Sequence, residues 1–168
     1  MKKYIMKFDG TEYRFLSNFH PSELILTRLP LDEDSTEPLS YPSVEHAYQA
    51  AKTFDFEDRE AIRTASHAGA TKRLGKNVAL RDDWDNIKDV IMLNLLRVKF
   101  SDANPELRQK LLDTEYDHLV EGNTWHDCHF GVCTCVACGS VGKNRLGELL
   151  MTVRGELQDD WDEWKEWK

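Results

Sequence analysis

The hydrophobic period of this chain changes at Ser43, and this change constrains the fold more than any other feature. Before Ser43, short segments alternate apolar and polar residues, as half-buried strands do. After it, apolar residues recur at spacings of three and four, the period of an amphipathic helix. Strands and helices do not alternate as βαβ units require. The sequence therefore predicts an α+β fold that is mostly helical, with a few short strands.

The same patterns place the individual elements. Strands are predicted within residues 3–10, 23–29 and 117–123, with a packed loop over 13–22 and an acidic surface segment with two prolines over 30–40. Helices are predicted within residues 43–54, 56–66, 68–75, 82–100, 104–114 and 144–158. At 168 residues the chain is long enough to bury a core as one domain.

Residue types suited to helix ends mark several of these boundaries. Ser43 and Asn104 are suited to N-cap positions, and Pro105 to the first helical position. Gly75 is expected to stop the third helix, as a C-terminal glycine commonly does. Asn144 is expected to cap the last helix.

Charge and hydropathy exclude several classes of function. The formal net charge is −8, with acidic residues spread along the chain, which argues against broad electrostatic binding to nucleic acid. No apolar run reaches the length of a membrane-spanning helix. The first ten residues, MKKYIMKFDG, lack the apolar core of a secretory signal, so no membrane association and a cytoplasmic location are expected.

Glu45, Gln49 and Lys52 share one stripe of the predicted 43–54 helix, beside its apolar stripe. One interpretation is an ordinary solvated face. The other is a catalytic surface, because polar groups at such a boundary can border an apolar pocket. Spacing alone does not choose between these interpretations.

Two loop segments carry further polar candidates. In EGNTWHD, Trp125 precedes His126 and Asp127, and an aromatic ring beside a carboxylate suits a sugar or a base. A turn with a packed tryptophan is the alternative. In GKNRLG, Lys143 and Asn144 precede a helix start that could hold an anion, and a simple helix cap is the alternative.

All the cysteines fall within an eleven-residue segment, as Cys128, Cys133, Cys135 and Cys138. The Cys-x-Cys-x-x-Cys spacing can place three thiolates around a tetrahedral ion, with Cys128 or a histidine as the fourth ligand. A structural zinc ion is one expectation, and reduced cysteines without metal are the other. Thiolates at this density would close the coordination shell, which argues against a catalytic metal.

Seven segments, in order, resemble the NADAR family, also called YbiA-like. They are FLSNFHPS, YPSVEHAYQAAK, TKRLGKNVALRDDWD, IMLNLLRVKF, NPELRQKLLDT, EGNTWHD and GKNRLGELLMTVR. The resemblance implies a compact, mostly helical α+β domain, here residues 1–158, followed by a tryptophan-rich tail over 159–168.

The resemblance also implies an N-glycosidase that cleaves the bond between ribose and a base nitrogen. Some family members act on phosphoribosylamino-pyrimidine intermediates of riboflavin synthesis. Others remove ADP-ribose from modified guanine in nucleic acid, in some cases as the antitoxin to an ADP-ribosyltransferase toxin. The expected partners are therefore a nucleotide-like small substrate or ADP-ribosylated guanine, and a toxin of that kind. No cofactor is expected to be required for catalysis.

By that resemblance, Glu45 and Lys52 border the active site, Trp125 and Asp127 belong to it, and so does Trp84. The chain departs from the family pattern at His126, where members often have glycine. The cysteine-rich loop occurs in only part of the family, so a metal there is not expected to be essential to the chemistry.

The mechanistic hypothesis makes Lys52 a nucleophile toward the ribose C1, with Glu45 handling the proton and Asp127 binding hydroxyls or activating water. An alternative keeps Lys52 as a phosphate-neutralising cation. Substrate contacts are expected from Asn18, Phe19, Tyr48, Gln49, Arg73, Arg81, Trp84, Trp125, Lys143 and Asn144. A module that binds ADP-ribose or NAD without turnover, and a zinc-organised interaction protein, are the rivals from other classes.

Overall fold

A computed structural model describes residues 3–27 and 37–166, with side chains to residue 159. Most of the predicted 30–40 surface segment, and Trp167 of the tail, lie outside the described residues. Strands are Tyr4–Ile5 (β1), Leu24–Leu26 (β2), Leu39–Tyr41 (β3), His118–Leu119 (β4), Gly122–Asn123 (β5) and Val132–Cys133 (β6). Helices are Val44–Ala50 (α1), Phe56–Arg63 (α2), Ala68–Leu74 (α3), Trp84–Lys99 (α4), Pro105–Leu112 (α5) and Arg145–Glu166 (α6). The predicted mostly helical α+β class is confirmed.

The chain divides into two compact units. The central unit is residues 18–103, and the terminal unit joins the described parts of 1–17 and 104–168. The central unit contains α1 to α4 and the β2–β3 hairpin, whose register pairs Leu24 with Tyr41. The terminal unit contains α5, α6 and two small parallel pairs, β1 with β4 and β5 with β6. A 3-10 helix over Glu12–Leu16 lies where the sequence predicted part of a loop.

Helix α1 is buried on every side, because α2, α3, α4 and β3 all pack against it. All seven of its residues are buried, including the polar Glu45, His46 and Gln49. The interpretation of its polar stripe as a solvated face is therefore wrong.

The predicted N-cap at Ser43 is confirmed, and it belongs to a wider hydrogen-bond network. The Ser43 side chain accepts a hydrogen bond from the His46 backbone amide, and its hydroxyl lies 2.7 Å from His46 Nδ1. His46 Nε2 is 3.2 Å from the Ala65 carbonyl, which can only accept, so Nε2 carries the proton. Burial lowers the pKa of His46, which keeps the ring neutral. This neutral histidine ties α1 to the segment between α2 and α3.

Helix α1 ends at Ala50, earlier than the predicted 43–54 pattern. The Lys52 amide donates to the Gln49 carbonyl in an i→i−3 bond, and Lys52 lies in the turn that follows. The next helix then begins with Asp55 as its N-cap. The single stripe that the sequence predicted for Glu45, Gln49 and Lys52 therefore holds only for the first two.

Helix α4 buries a different stripe from the one its pattern predicts. The pattern centres on Trp84, Ile87, Ile91 and Val98, but the buried residues are Trp84, Ile91, Met92, Leu95, Leu96 and Lys99. At about 100° per residue, Ile87 and Val98 fall at one edge of the buried face. The stripe is rotated because the neighbouring elements of the central unit, and not the helix itself, decide which face is covered.

Helix α6 packs against β4 and α5 in the terminal unit. Leu146, Leu149, Leu150 and Val153 are buried, as predicted, and Leu157 is half-buried. The helix continues to Glu166, but the side chains of Trp161 and Trp164 lie outside the described ones. The tryptophan-rich tail predicted over 159–168 thus begins within α6.

Candidate functional site

A buried pair of polar side chains on α1 forms the centre of the candidate site. Glu45 and Gln49 are 5% and 4% exposed, one helical turn apart. Gln49 Nε2 donates a 2.8 Å hydrogen bond to Glu45 Oε1. Because burying a carboxylate is costly without hydrogen bonds, this bond helps hold Glu45 inside the protein.

Gly75 gives the Gln49 carboxamide the space it occupies. The glycine follows the last residue of α3, as predicted, but with φ −64° and ψ −5°, an ordinary right-handed conformation that other residues also adopt. A Cβ added to Gly75 would lie 2.0 Å from Gln49 Oε1. Glycine at this position therefore permits a close approach, and its backbone conformation is open to other residues.

Lys52 lies against the same surface. Its Nζ is 3.5 Å from the Gly75 carbonyl oxygen and 5.8 Å from the centre of the Trp84 ring. Burial lowers the pKa of the Lys52 ammonium, the Glu45 carboxylate acts in the opposite direction, and Lys72 and Lys76 lower the pKa further. Lys52 is thereby shifted toward its neutral form, which is the form a nucleophilic amine requires.

An aromatic pair forms the next layer of the site. Tyr48 of α1 and Trp84, the first residue of α4, have ring centres 5.0 Å apart with planes tilted by 56°. Both residues are 6% exposed. Trp84, predicted to stack on a base, therefore contacts Tyr48 and Lys52 within the central unit.

Arg81 is largely committed to protein contacts. Its guanidinium binds Asp83 through Nε and Nη2 and lies 4.3 Å from the centre of the Phe54 ring, while its backbone amide donates to the Lys52 carbonyl. Nη1 has no hydrogen-bond partner among the described residues and could make the predicted phosphate contact. Phe54 was not among the predicted site residues, because a lone aromatic at the end of the predicted 43–54 helix carries no distinctive pattern.

Three buried polar atoms of the predicted site residues have no hydrogen-bond partner within the described part of the chain: Asn18 Oδ1, Gln49 Oε1 and Arg81 Nη1. Buried polar atoms are otherwise nearly always satisfied. Such atoms are suited to hydrogen bonds with the polar groups of a ligand. They mark Asn18, Gln49 and Arg81 as the strongest substrate-binding candidates of the predicted set.

The remaining central-unit candidates lie farther out on the surface. Phe19 is half-buried beneath the Lys72 ammonium, which is 5.6 Å from the centre of its ring. Arg73 is exposed on the last turn of α3. Lys72 and Lys76, which flank it in TKRLGK, are the basic residues that act on the pKa of Lys52, and sequence reasoning missed both. The clustering of these two lysines with Arg73 along the sequence was the signal that could have identified them.

The Trp-x-Asp segment forms a hydrogen-bonded turn in the terminal unit. Asn123 Oδ1 accepts from the amides of Trp125 and Asp127, and Asp127 Oδ1 accepts from the amides of His129 and Phe130. Trp125 is 47% exposed. Asp127 therefore has a structural task in addition to the catalytic one predicted for it.

Asn144 does not cap α6 with its side chain, contrary to the prediction. Its Oδ1 accepts from the Glu121 amide and its Nδ2 donates to the Leu119 carbonyl, which joins it to the β4–β5 connection. The amides of Arg145 and Leu146, at the start of α6, donate to the carbonyls of His129 and Phe130. These amides are used within the protein, which weakens the case for an anion site there. Lys143 is exposed.

The cysteine loop gathers a set of possible metal ligands that matches the predicted alternative with a histidine as the fourth ligand. The ligand atoms of His126, Cys133, Cys135 and Cys138 all lie within 4.8 Å of one another. The predicted fourth cysteine, Cys128, is outside this set, with its Sγ 3.9 Å from Cys138 Sγ. A hydrogen bond from the Cys135 backbone lowers the pKa of Cys133, and hydrogen bonds with Cys133 and Cys135 raise the pKa of Cys138 to about 12.

Comparison with known proteins gives a consistent result. The family model described as NADAR domain matches residues 4–158. The chain is 39% identical to N-glycosidase YbiA of Shigella flexneri serotype 5b (strain 8401), over 94% of this chain and 91% of the relative. It is 32% identical to a riboflavin biosynthesis protein of Vibrio vulnificus (strain YJ016), covering 95% of this chain but only 40% of that protein.

A solved structure extends the similarity to the fold. The NMR structure of the E. coli protein YbiA matches with a TM-score of 0.74 at 32% identity, covering 95% of this chain and 88% of that one. Among the described residues, no helix is long and apolar enough to cross a membrane.

Replacing Gly75 with alanine tests the packing of the buried pair. The new Cβ would lie 2.0 Å from Gln49 Oε1 and displace the carboxamide from Glu45. We expect a loss of about 1–3 kcal/mol in the free energy of unfolding, the typical cost of overpacking a core. Chemical denaturation monitored by circular dichroism would measure it.

The matched control is Gly155→Ala in α6, where an added Cβ meets nothing within 4 Å. This substitution should stabilise the helix by about 0.5–1 kcal/mol, because alanine is the better helix former. A Gly75→Ala protein as stable as the wild type would contradict the role assigned to Gly75.

Proposed function

The chain belongs to the NADAR domain family, and from this membership we propose that it hydrolyses the N-glycosidic bond between a ribose and a base nitrogen. The observation that carries the proposal is the surroundings of Lys52. A half-buried amine with a lowered pKa lies beside a buried carboxylate and over an indole ring. Shifted pKa values of this kind are concentrated at catalytic sites.

In the proposed reaction, neutral Lys52 attacks C1 of the ribose as the C1–N bond to the base breaks. In this step the Glu45 carboxylate takes up the proton that the Lys52 amine loses on forming the bond, and passes it to the departing nitrogen. Opening of the sugar ring gives a Schiff base between Lys52 and C1. Water then adds to C1 and releases the amine, so the net reaction is hydrolysis and the enzyme is regenerated.

The proposed substrate is a phosphoribosylamino-pyrimidine of the riboflavin pathway. Two kinds of curated relatives support the proposal by name: the N-glycosidases, and the riboflavin biosynthesis proteins of Vibrio vulnificus and of Zea mays. ADP-ribosylated guanine is the second candidate, because it presents the same ribose–nitrogen linkage with phosphates attached. Pairing with an ADP-ribosyltransferase toxin and a cytoplasmic location remain predictions from the sequence.

A module that binds ADP-ribose without turnover fits the central unit less well. A pocket for a polyanion gains nothing from a carboxylate as deeply buried as Glu45. A simple binding site also has no need to shift Lys52 toward its neutral form. Both features are useful to a catalyst that must form a bond to carbon and move a proton.

Incubation with each substrate class in parallel tests activity and mechanism together. We expect the purified protein to release the free base from the phosphoribosylamino-pyrimidine, detected by chromatography and mass spectrometry. In the presence of borohydride, the Schiff base should be reduced, leaving the sugar attached to a peptide that contains Lys52. Release of ADP-ribose from modified guanosine alone would overturn the substrate assignment, and no release from either would overturn the activity.

Two variants control that experiment. Lys52→Ala should abolish both turnover and trapping, whereas Lys52→Arg should separate the mechanisms. Arginine keeps the positive charge but does not form a Schiff base. A Lys52→Arg protein with much of the wild-type rate would therefore show that Lys52 only neutralises phosphate.

The pH dependence of kcat/KM should report the pKa of Lys52 and the charges that shift it. The rate should rise with pH and level off at the pKa of Lys52, below the ordinary lysine value of 10.5, because only the neutral amine reacts. Lys76 contributes to lowering this pKa, so Lys76→Gln should move the rising limb to higher pH and reduce the rate near neutrality. Lys110→Gln, on the exposed surface of α5, is the matched control and should leave the limb in place. A limb unmoved by Lys76→Gln would contradict this assignment.

Asp127→Asn separates the structural and catalytic tasks of Asp127. Asparagine keeps an Oδ1 that can accept from the His129 and Phe130 amides, so the turn should persist with a nearly unchanged unfolding midpoint. If the carboxylate binds the ribose or activates water, kcat/KM should fall by about 10²–10⁴-fold. Wild-type activity in this variant would restrict Asp127 to its role in the turn.

A further inference from the structure

We propose that His126, Cys133, Cys135 and Cys138 form a structural zinc site in the terminal unit. A ligand atom from each side chain lies within 4.8 Å of the other three. Three thiols and one imidazole are a donor set that favours zinc, and four protein ligands close the tetrahedral shell.

The distances fit a tetrahedral ion. Zinc–sulfur bonds of ~2.3 Å and zinc–nitrogen bonds of ~2.0 Å place neighbouring ligand atoms roughly 3.5–3.8 Å apart. His126 Nδ1 is 3.2 Å from Cys138 Sγ and 3.5 Å from Cys135 Sγ. These two imidazole–sulfur distances are close to those expected around a tetrahedral ion.

The backbone around the cysteines is folded as a ligand-holding turn. Cys133 is buried at the end of β6, and its amide donates to the Val141 carbonyl. From Cys135 the chain turns back, and the Cys138 amide lies 3.4 Å from Cys135 Sγ and 3.1 Å from the Cys135 carbonyl oxygen. An amide donated to a sulfur stabilises the thiolate, which is the form that binds metal. The Cys135–Cys138 turn thus places one cysteine sulfur beside a backbone amide that favours its thiolate form.

His126 supplies an independent argument. It has φ +67°, in the left-handed region that residues other than glycine adopt only at an energetic cost. This strained backbone directs Nδ1 toward two sulfurs. Coordination would offset the strain and explains why a histidine, and not a glycine, occupies the position.

The site would position the neighbouring turn and take no part in the bond cleavage. His126 lies between Trp125 and Asp127, so an ion that joins His126 to the Cys133–Cys138 loop would hold the Asn123-centred turn in place. Zinc would stabilise a segment that carries proposed functional residues, without an open coordination position for substrate.

Metal analysis of the full-length protein, purified in reducing buffer without chelator, tests the proposal. We expect about one zinc per chain, and after exchange with cobalt, the visible absorption typical of tetrahedral cobalt bound to thiolates. His126→Gly removes one ligand and relieves the strained φ. It should keep its fold by circular dichroism and bind zinc on the order of 100-fold more weakly in competition with a chromophoric chelator.

Cys128→Ser is the matched control, because Cys128 lies beside the cluster but outside the proposed set. It should keep zinc at the wild-type stoichiometry and affinity. Protein that binds no zinc with its thiols reduced, or a disulfide found by mass spectrometry among these cysteines, would overturn the site. Loss of zinc from Cys128→Ser but not from His126→Gly would overturn the ligand set. None of these outcomes would alter the proposed N-glycosidase activity, which is assayed separately.

Discussion

The hydrogen bond between Gln49 and Glu45, packed against Gly75, is the interaction on which the central unit depends. Because α1 is covered on all sides, its polar side chains have no access to bulk water and must find partners inside the protein. The carboxamide occupies space that a Cβ on residue 75 would take. This packing keeps a carboxylate buried and brings α3 next to the turn that carries Lys52.

The pKa of Lys52 reflects a competition between opposing effects. Burial removes water from the ammonium and favours the neutral amine, and Lys72 and Lys76 act in the same direction, while Glu45 favours the charged form. A nucleophilic amine next to a proton donor needs such a balance. A carboxylate must be near enough to transfer a proton, yet its field must not keep the lysine fully charged.

The terminal unit shows how polar residues in a motif can serve the backbone. Asn123, Asp127 and Asn144 satisfy main-chain amides and carbonyls of irregular segments, which otherwise lack partners. Sequence reasoning assigned Asp127 and Asn144 to substrate, because a loop rich in Asn, Asp and Trp is equally typical of a binding site and of a tight turn. For Asp127 both roles remain compatible, since one carboxylate oxygen accounts for the turn.

The sequence by itself determined the helix-rich class, the Ser43 cap, the Pro105 helix start and the family, because caps, periodicity and ordered motifs are local properties of the chain. Tertiary structure alone decided that the polar side of α1 is buried, that α1 ends before Lys52, and that His126 joins three cysteines in place of Cys128. Burial depends on which elements cover a face, and ligand geometry depends on residues brought together by folding. Neither is encoded in the spacing of residues along one segment.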